Sequence, residues 1–222
     1  ALTHCMEAYV SMMHTVFSDA MAKEAIVEIF TYLPRAYHNG KEDLEAREHM
    51  AHAATLAGIS FANAFLGIDH SLGHKLGAYH HLPHGVCVSL MLDEVMKYNA
   101  SERPVKMGTF SQYQAPEALH RYAEIADLLN LGGKNDEEKL RRLIKKIDEL
   151  KKDIELPLTI QEAGIEEQAF LSSLKEMSLA AFNDQCTGTN PRYPLVSELE
   201  EIYLKAYYGE KKYEKMKEEE QL

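Results

Sequence analysis

Apolar residues recur at helical spacing in one stretch of this chain after another, and nowhere does apolar–polar alternation run long enough to build a half-buried strand. Ala22, Ala25, Ile26, Ile29 and Phe30 make one stripe; Leu119, Tyr122, Ile125, Ala126 and Leu129 make a second; Leu140, Leu143, Ile144, Ile147 and Leu150 make a third. No strand–turn–helix carries a glycine-rich phosphate or dinucleotide signature, and no fixed-period repeat is present. With 222 residues, 45% of them hydrophobic, the chain is long enough to bury a substantial core. The fold class this pattern dictates is all-α, a helical bundle.

Punctuation divides the bundle. Ser18 or Asp19 is the expected cap of a helix running through Tyr32, which Pro34 and then Asn39-Gly40 close. Asp43 to about Ala64 is the next helix, its small residues Ala53, Ala54, Ala57, Gly58 and Ser60 allowing close approach of a neighbour. Leu82 precedes Pro83 and is pushed out of helical geometry, so one helix is predicted to end near Tyr79 and another to begin at Pro83 or His84. Gly85 to Leu92 carries no charge, which predicts burial on most sides. An irregular connection follows Asn99 through Pro116, then helices over Glu117–Leu129, Asp136–Leu150, Phe170–Phe182 and Ser197–Tyr208. Glu210 to Leu222 is a solvated, fraying tail. Ala1 to Val10 is helical in composition from its first residue, with neither cap nor initiator Met, and is expected to be cut from something longer.

A formal net charge of -11 argues against nucleic acid or an anionic membrane as the partner, since both select basic surfaces. Cys5, Cys87 and Cys186 are odd in number and far apart, which suggests neither a disulfide framework nor a thiolate zinc module and fits a reducing cytoplasm. No signal peptide or membrane-spanning run is read in the sequence.

Five of the eleven histidines, His70, His74, His80, His81 and His84, crowd around the Pro83 corner. His70 and His74 lie one turn apart on one helix face, and His84 arrives from beyond the corner, so the three can address one cleft. Neutral imidazole ligates transition metals and moves protons near neutral pH, so this cluster is the candidate metal or proton-transfer site, with a further ligand needed from elsewhere. His14, His38, His49, His52 and His120 lack such a setting and are read as surface or packing residues.

Ala-Leu-Thr-His at 1–4, Phe-Ala-Asn-Ala-Phe-Leu-Gly at 61–67 leading into the histidine segment at 69–85, and Asp-Gln-Cys-Thr-Gly-Thr-Asn-Pro-Arg at 184–192 together resemble the iron-dependent alcohol dehydrogenases, most of all the alcohol dehydrogenase half of the bifunctional aldehyde-alcohol dehydrogenases. The resemblance implies the C-terminal helical domain of such an enzyme, whose metal lies in a cleft against a Rossmann-like NAD domain and is held by one Asp and three His. Carried onto this sequence, the metal ligands are His4, His70 and His84, and His74 stands beside nicotinamide and substrate as the catalytic proton relay. The Cys186 loop lines the substrate cleft, where a thiolate nucleophile is not expected. The Asp ligand falls immediately ahead of Ala1. Val88-Ser89 stand where many members carry Asn-Ala.

The expected organisation is therefore one all-helical metal-binding domain over 1–222, with metal-bearing helices in 1–100, further helices in 101–209 and the charged tail in 210–222. Fe(II) is implied by the resemblance, with zinc chemically acceptable to the same donors. NAD belongs to the intact enzyme and is not expected to bind this chain alone, which lacks the nucleotide domain and so should be inactive by itself. A small alcohol or aldehyde is the implied substrate, and a homo-oligomer is expected. Two alternatives stand beside this one: an all-helical metal-dependent phosphohydrolase, which needs a His-Asp dyad where this chain has Asp69-His70 in the opposite order, and a non-enzymatic assembly module of a bifunctional-enzyme filament.

Overall fold

The computed structural model describes residues 1–101 and 117–220. Ten α-helices follow in order: α1 (Leu2–Val10), α2 (Val16–Asn39), α3 (Leu44–Ala64), α4 (Ile68–His80), α5 (His84–Asn99), α6 (Ala118–Leu128), α7 (Asp136–Asp153), α8 (Glu167–Phe182), α9 (Val196–Tyr208) and α10 (Glu210–Glu220), with a short 3-10 helix at Gln185–Thr189. There is no strand among the described residues, so the all-α expectation holds. No single helix among them is long and apolar enough to cross a membrane. Most of the irregular connection expected between Asn99 and Pro116 lies outside the described residues.

The apolar stripes meet in two core clusters. Met6, Tyr9, Ile26, Ile29, Tyr122, Ile125, Leu143 and Ile147 anchor the first, where α1, α2, α6 and α7 converge. Ile68, Leu72, Leu76, Phe170, Met177, Tyr203 and Tyr207 anchor the second, built from α4, α8 and α9. Helix α5 serves both: Leu92 and Met96, one turn apart, face the first, while Leu90, Met91 and Val95 face the second. An uncharged stretch was needed there because a helix wedged between two cores has little solvent face.

Several boundaries differ from expectation, among them the end of α7 at Asp153 and the start of α8 at Glu167, each three residues beyond the expected run. Helix α2 is capped by Thr15, not by Ser18 or Asp19: Ser18 sits at the third helical position, and its hydroxyl accepts the Thr15 N–H at 2.8 Å while Thr15 Oγ1 accepts the Ser18 N–H at 3.2 Å. The same helix continues through Pro34 to Asn39. Side chains anchor its last turns to other elements, with Arg35 bound to Asp43 and Glu45, Tyr37 donating to Glu155 at 2.7 Å, and His38 3.2 Å from Asp153. The tail is not merely solvated: Tyr213 is buried in the second cluster with Met216 beside it, and Glu210 pairs with Lys97 at 2.8 Å.

Candidate metal centre

The centre begins at the α4–α5 corner. Helix α4 ends with His81 in the left-handed region at φ 57°, its N–H bonded to Gly77 O at 2.9 Å, and Pro83 then caps α5. The two helices approach closely because Gly73 has no side chain: a Cβ there would stand 2.7 Å from Val88 Cγ1. Helix α4 is therefore held over the start of α5, with His70 and His74 one turn apart and His84 at the mouth of α5, where it is exposed.

The amino end of α4 is capped from outside by two remote side chains. Glu7, buried on α1, accepts the Asp69 N–H at 2.7 Å, and Asn190 Oδ1 accepts the Ile68 N–H at 3.2 Å. These carboxylate and amide oxygens satisfy donors that a helix start leaves without partners. Gly67, the residue before α4, must be glycine for this, since a Cβ would meet Asn190 Oδ1 at 2.5 Å and Glu7 Oε1 at 2.9 Å. The other Glu7 oxygen accepts from His70 Nδ1 in a short, buried hydrogen bond. That acceptor selects the Nδ1–H tautomer and leaves the Nε2 lone pair free.

His70 Nε2 points at His4 Nε2, 3.2 Å away. The His84 ring centroid lies 5.3 Å from that of His70 and 6.3 Å from that of His4, and one ligand atom from each of the three falls within 4.8 Å of the others. Four-coordinate zinc with nitrogen bonds of about 2.0–2.1 Å holds its donors about 3.3 Å apart, so this set fits a single divalent ion after small ring rotations. Burial, then the neighbouring His70 imidazole, pushes His4 down to about 3, which keeps the ring neutral and its lone pair available. Burial lowers His84 as well, with the His70 and His74 rings adding to it.

His74 stands beside this trio, its ring 5.6 Å from His84 and 5.8 Å from His70. Its Nδ1 is 3.4 Å from Asp184 Oδ2, which also accepts from Lys75 Nζ at 2.8 Å. Although burial opposes it, the Lys75 ammonium and the Cys186 N–H hold the Asp184 carboxyl below its usual value. Cys186 shares this cluster, and its thiol is pushed up to about 12 by burial and then by the Asp184 charge, so no thiolate forms there near neutral pH. Phe61, Phe65, Leu66 and Cys186 help line a cavity of about 300 Å³, and the Phe61 ring stacks on His4 at 4.5 Å.

The motif at 184–192 closes the arrangement. Thr187 donates to Ala181 O at 2.7 Å and contacts Ser71 Oγ at 2.8 Å, and Thr189 donates to Leu66 O at 2.5 Å, tying the 3-10 helix to α8, to α4 and to the α3–α4 connection. His80 and His81 do not join the centre; His80 lies against Ser173 and His81 is exposed. His14, His38 and His120 are each paired with one carboxylate at the surface or near it. Sequence reading missed Glu7, although its place one turn after His4 on α1 was an available signal. It also missed Asp69, whose carboxylate is buried with no hydrogen-bond partner among the described residues. Burial, then the Glu7 charge, raises that carboxyl well above its ordinary range.

Three imidazoles from three helices, one steadied by a buried carboxylate, converge at one corner of an all-helical chain. Residues 1–207 match the Fe-containing alcohol dehydrogenase family, C-terminal, and the chain belongs to that family. It is 49% identical over 211 residues to the bifunctional aldehyde-alcohol dehydrogenase of Escherichia coli K12, covering 94% of this chain and 24% of that protein. It is 40% identical to the NADPH-dependent butanol dehydrogenase of Clostridium saccharobutylicum, covering 94% of this chain and 49% of the relative. Among solved structures, the iron-containing alcohol dehydrogenase of Thermococcus thioreducens superposes with a TM-score of 0.79 at 35% identity, over 94% of this chain and 48% of that one. The chain thus spans about a quarter of the bifunctional relative and about half of the shorter ones. Family membership displaces the phosphohydrolase alternative.

Proposed function

We propose that this chain is the metal-holding helical half of an iron-dependent alcohol dehydrogenase, interconverting an alcohol and an aldehyde with NAD(H) in the cytoplasm. The nucleotide-binding part lies in the length of the relatives that this chain does not span. One observation carries the reading: ligand atoms of His4, His70 and His84, from three different helices, lie within 4.8 Å of one another. In this reading the three hold Fe(II), with zinc the competing ion, and the resemblance supplies an aspartate four residues before His4 as the fourth ligand. When bound, the metal supplies Lewis acidity to an alcohol or carbonyl oxygen.

The remaining work falls to the chain's own side chains. Glu7 holds the His70 ring so that Nε2 faces His4. His74, anchored through Nδ1 by Asp184 and half-buried, passes a proton between the substrate oxygen and solvent. The cavity bounded by Phe61, Phe65, Leu66 and Cys186 receives the short carbon chain, with Cys186 acting through its neutral thiol surface. By themselves these 222 residues bind no NADH and do not turn over.

Metal analysis tests this directly. The 222-residue chain extended upstream through the aspartate is expected to retain Fe(II) or Zn(II) at this centre, and His84→Ala, at an exposed position, is expected to release it. Equal retention by the extended chain and its His84→Ala variant would overturn the ligand assignment. Calorimetry showing tight NADH binding by the 222 residues alone would overturn the placement of the cofactor.

A further inference from the structure

We propose that Glu28, His49 and His52 form a second site for a divalent transition-metal ion of the zinc class, on the surface of the α2–α3 hairpin. His49 and His52 are three residues apart on α3, so both rings leave the same helix face, and Glu28 reaches them from α2. One ligand atom from each residue lies within 4.8 Å of the others. Two imidazoles and a carboxylate, with a position left open to solvent, are a donor set that zinc accepts.

Two features separate this cluster from an ordinary surface ion pair. The His49 ring is fixed, stacked on Tyr32 with centroids 3.9 Å apart and planes within 2°, and its Nδ1 lies 3.1 Å from Glu28 Oε1. The second Glu28 oxygen, Oε2, is buried with no hydrogen-bond partner, a polar atom whose desolvation nothing in the described structure offsets. An ion bound by both histidines and this carboxylate would supply the missing partner. His14, His38 and His120 are also paired with carboxylates, yet none of them belongs to a three-donor group among the described residues. His52 is exposed and can swing the short distance needed to close the set.

The test uses Zn(II) and the whole chain carrying His84→Ala, which disables the α1–α4–α5 centre and so keeps the two sites distinguishable. Equilibrium dialysis with metal analysis is expected to leave one zinc per chain in that background. Adding His52→Ala or Glu28→Gln is expected to weaken this binding by about 100-fold or more, since even outer partners of metal ligands are worth 10–100-fold. His120→Ala serves as the unaffected control, and an unchanged helical circular dichroism spectrum shows that the variants fold. Zinc should also shift the ring-nitrogen resonances of His49 and His52. Zinc retention unaltered by His52→Ala, or ring resonances of His49 and His52 that do not move, would overturn the proposal.

Discussion

The α4–α5 corner and the α2–α3 hairpin are both pairs of consecutive helices carrying histidines one turn apart, and they differ in how those histidines are held. In the corner, His70 is buried and fixed by Glu7, a partner 63 residues away, and His74 by Asp184, 110 residues away. In the hairpin, His49 is held by Glu28 only 21 residues away, and His52 stands in solvent. Long-range tethers place the His70 and His74 ring nitrogens before any ion arrives, whereas in the hairpin only His49 is held, and by a short-range partner. The corner is thus expected to bind metal more tightly and to be the more sensitive of the two to loss of a carboxylate.

Glu7→Ala is the strongest way to break that contrast. It strips a buried imidazole and the first turn of α4 of their acceptor, and should cost about 3 kcal/mol in urea unfolding and abolish metal retention at the corner. Glu28→Gln keeps its volume at a half-buried surface position and should change stability by less than about 0.5 kcal/mol. Equal stability losses for the two would erase the distinction.

Gly73→Ala comes next. The new methyl would meet Val88 Cγ1 at 2.7 Å and prise the corner apart, costing about 1–2 kcal/mol after the gain in helix propensity is deducted. Val88→Ala in the same chain should recover only part of the loss, because the Val88 backbone N and Cα still stand 3.2 and 3.3 Å from the new methyl; a double variant as unstable as Gly73→Ala would show that the clash is with the backbone of α5 and not with the Val88 side chain. Thr15→Ala, which removes the α2 cap, should cost about 1 kcal/mol and leave metal retention at the corner unchanged.

What was legible follows the same division. Local signals survived: Asp43 caps α3, Pro83 marks the corner, and the strong periodicity of 136–150 is helix α7. Where several residues could serve one local role the choice failed, as with Thr15 and Ser18, because each hydroxyl completes half of one reciprocal pair. Pro34 predicts a stop, since proline disfavours helix interiors, and the tertiary anchors on Arg35, Tyr37 and His38 override that preference. Tyr213 looked solvated amid Lys and Glu because one buried aromatic ring leaves no periodic trace. The histidine trio came from motif resemblance; spacing alone joined His70, His74 and His84 but had no means of bringing in His4 from 66 residues away. Asp69 escaped for the same reason, its role being set by burial against remote segments, whereas Glu7 carried a local signal in its place one turn after His4.

The smallest expected effect lies midway along α5, where Asp93 meets α7. Lys151 is buried and bonds Asp93 at 2.6 Å, while Asp93 Oδ1 has no hydrogen-bond partner among the described residues. Asp148 faces the same carboxylate, and burial, then repulsion from Asp93, pushes it up to about 6. A carboxyl raised in the folded state binds its proton more tightly there than in the unfolded chain, so the penalty from Asp148 is absent below its ordinary value of 3.8 and complete above about 6. Asp148→Asn supplies an amide donor for Asp93 in place of a like charge, so it should stabilise the protein at pH 7 by no more than about 1 kcal/mol, given its partial exposure. The gain should shrink as pH falls from 6 toward 4, and urea titrations of both chains across that range would show it. A gain that persisted at pH 4 would mean that the charge on Asp148 was not its cause and that packing around residue 148 was.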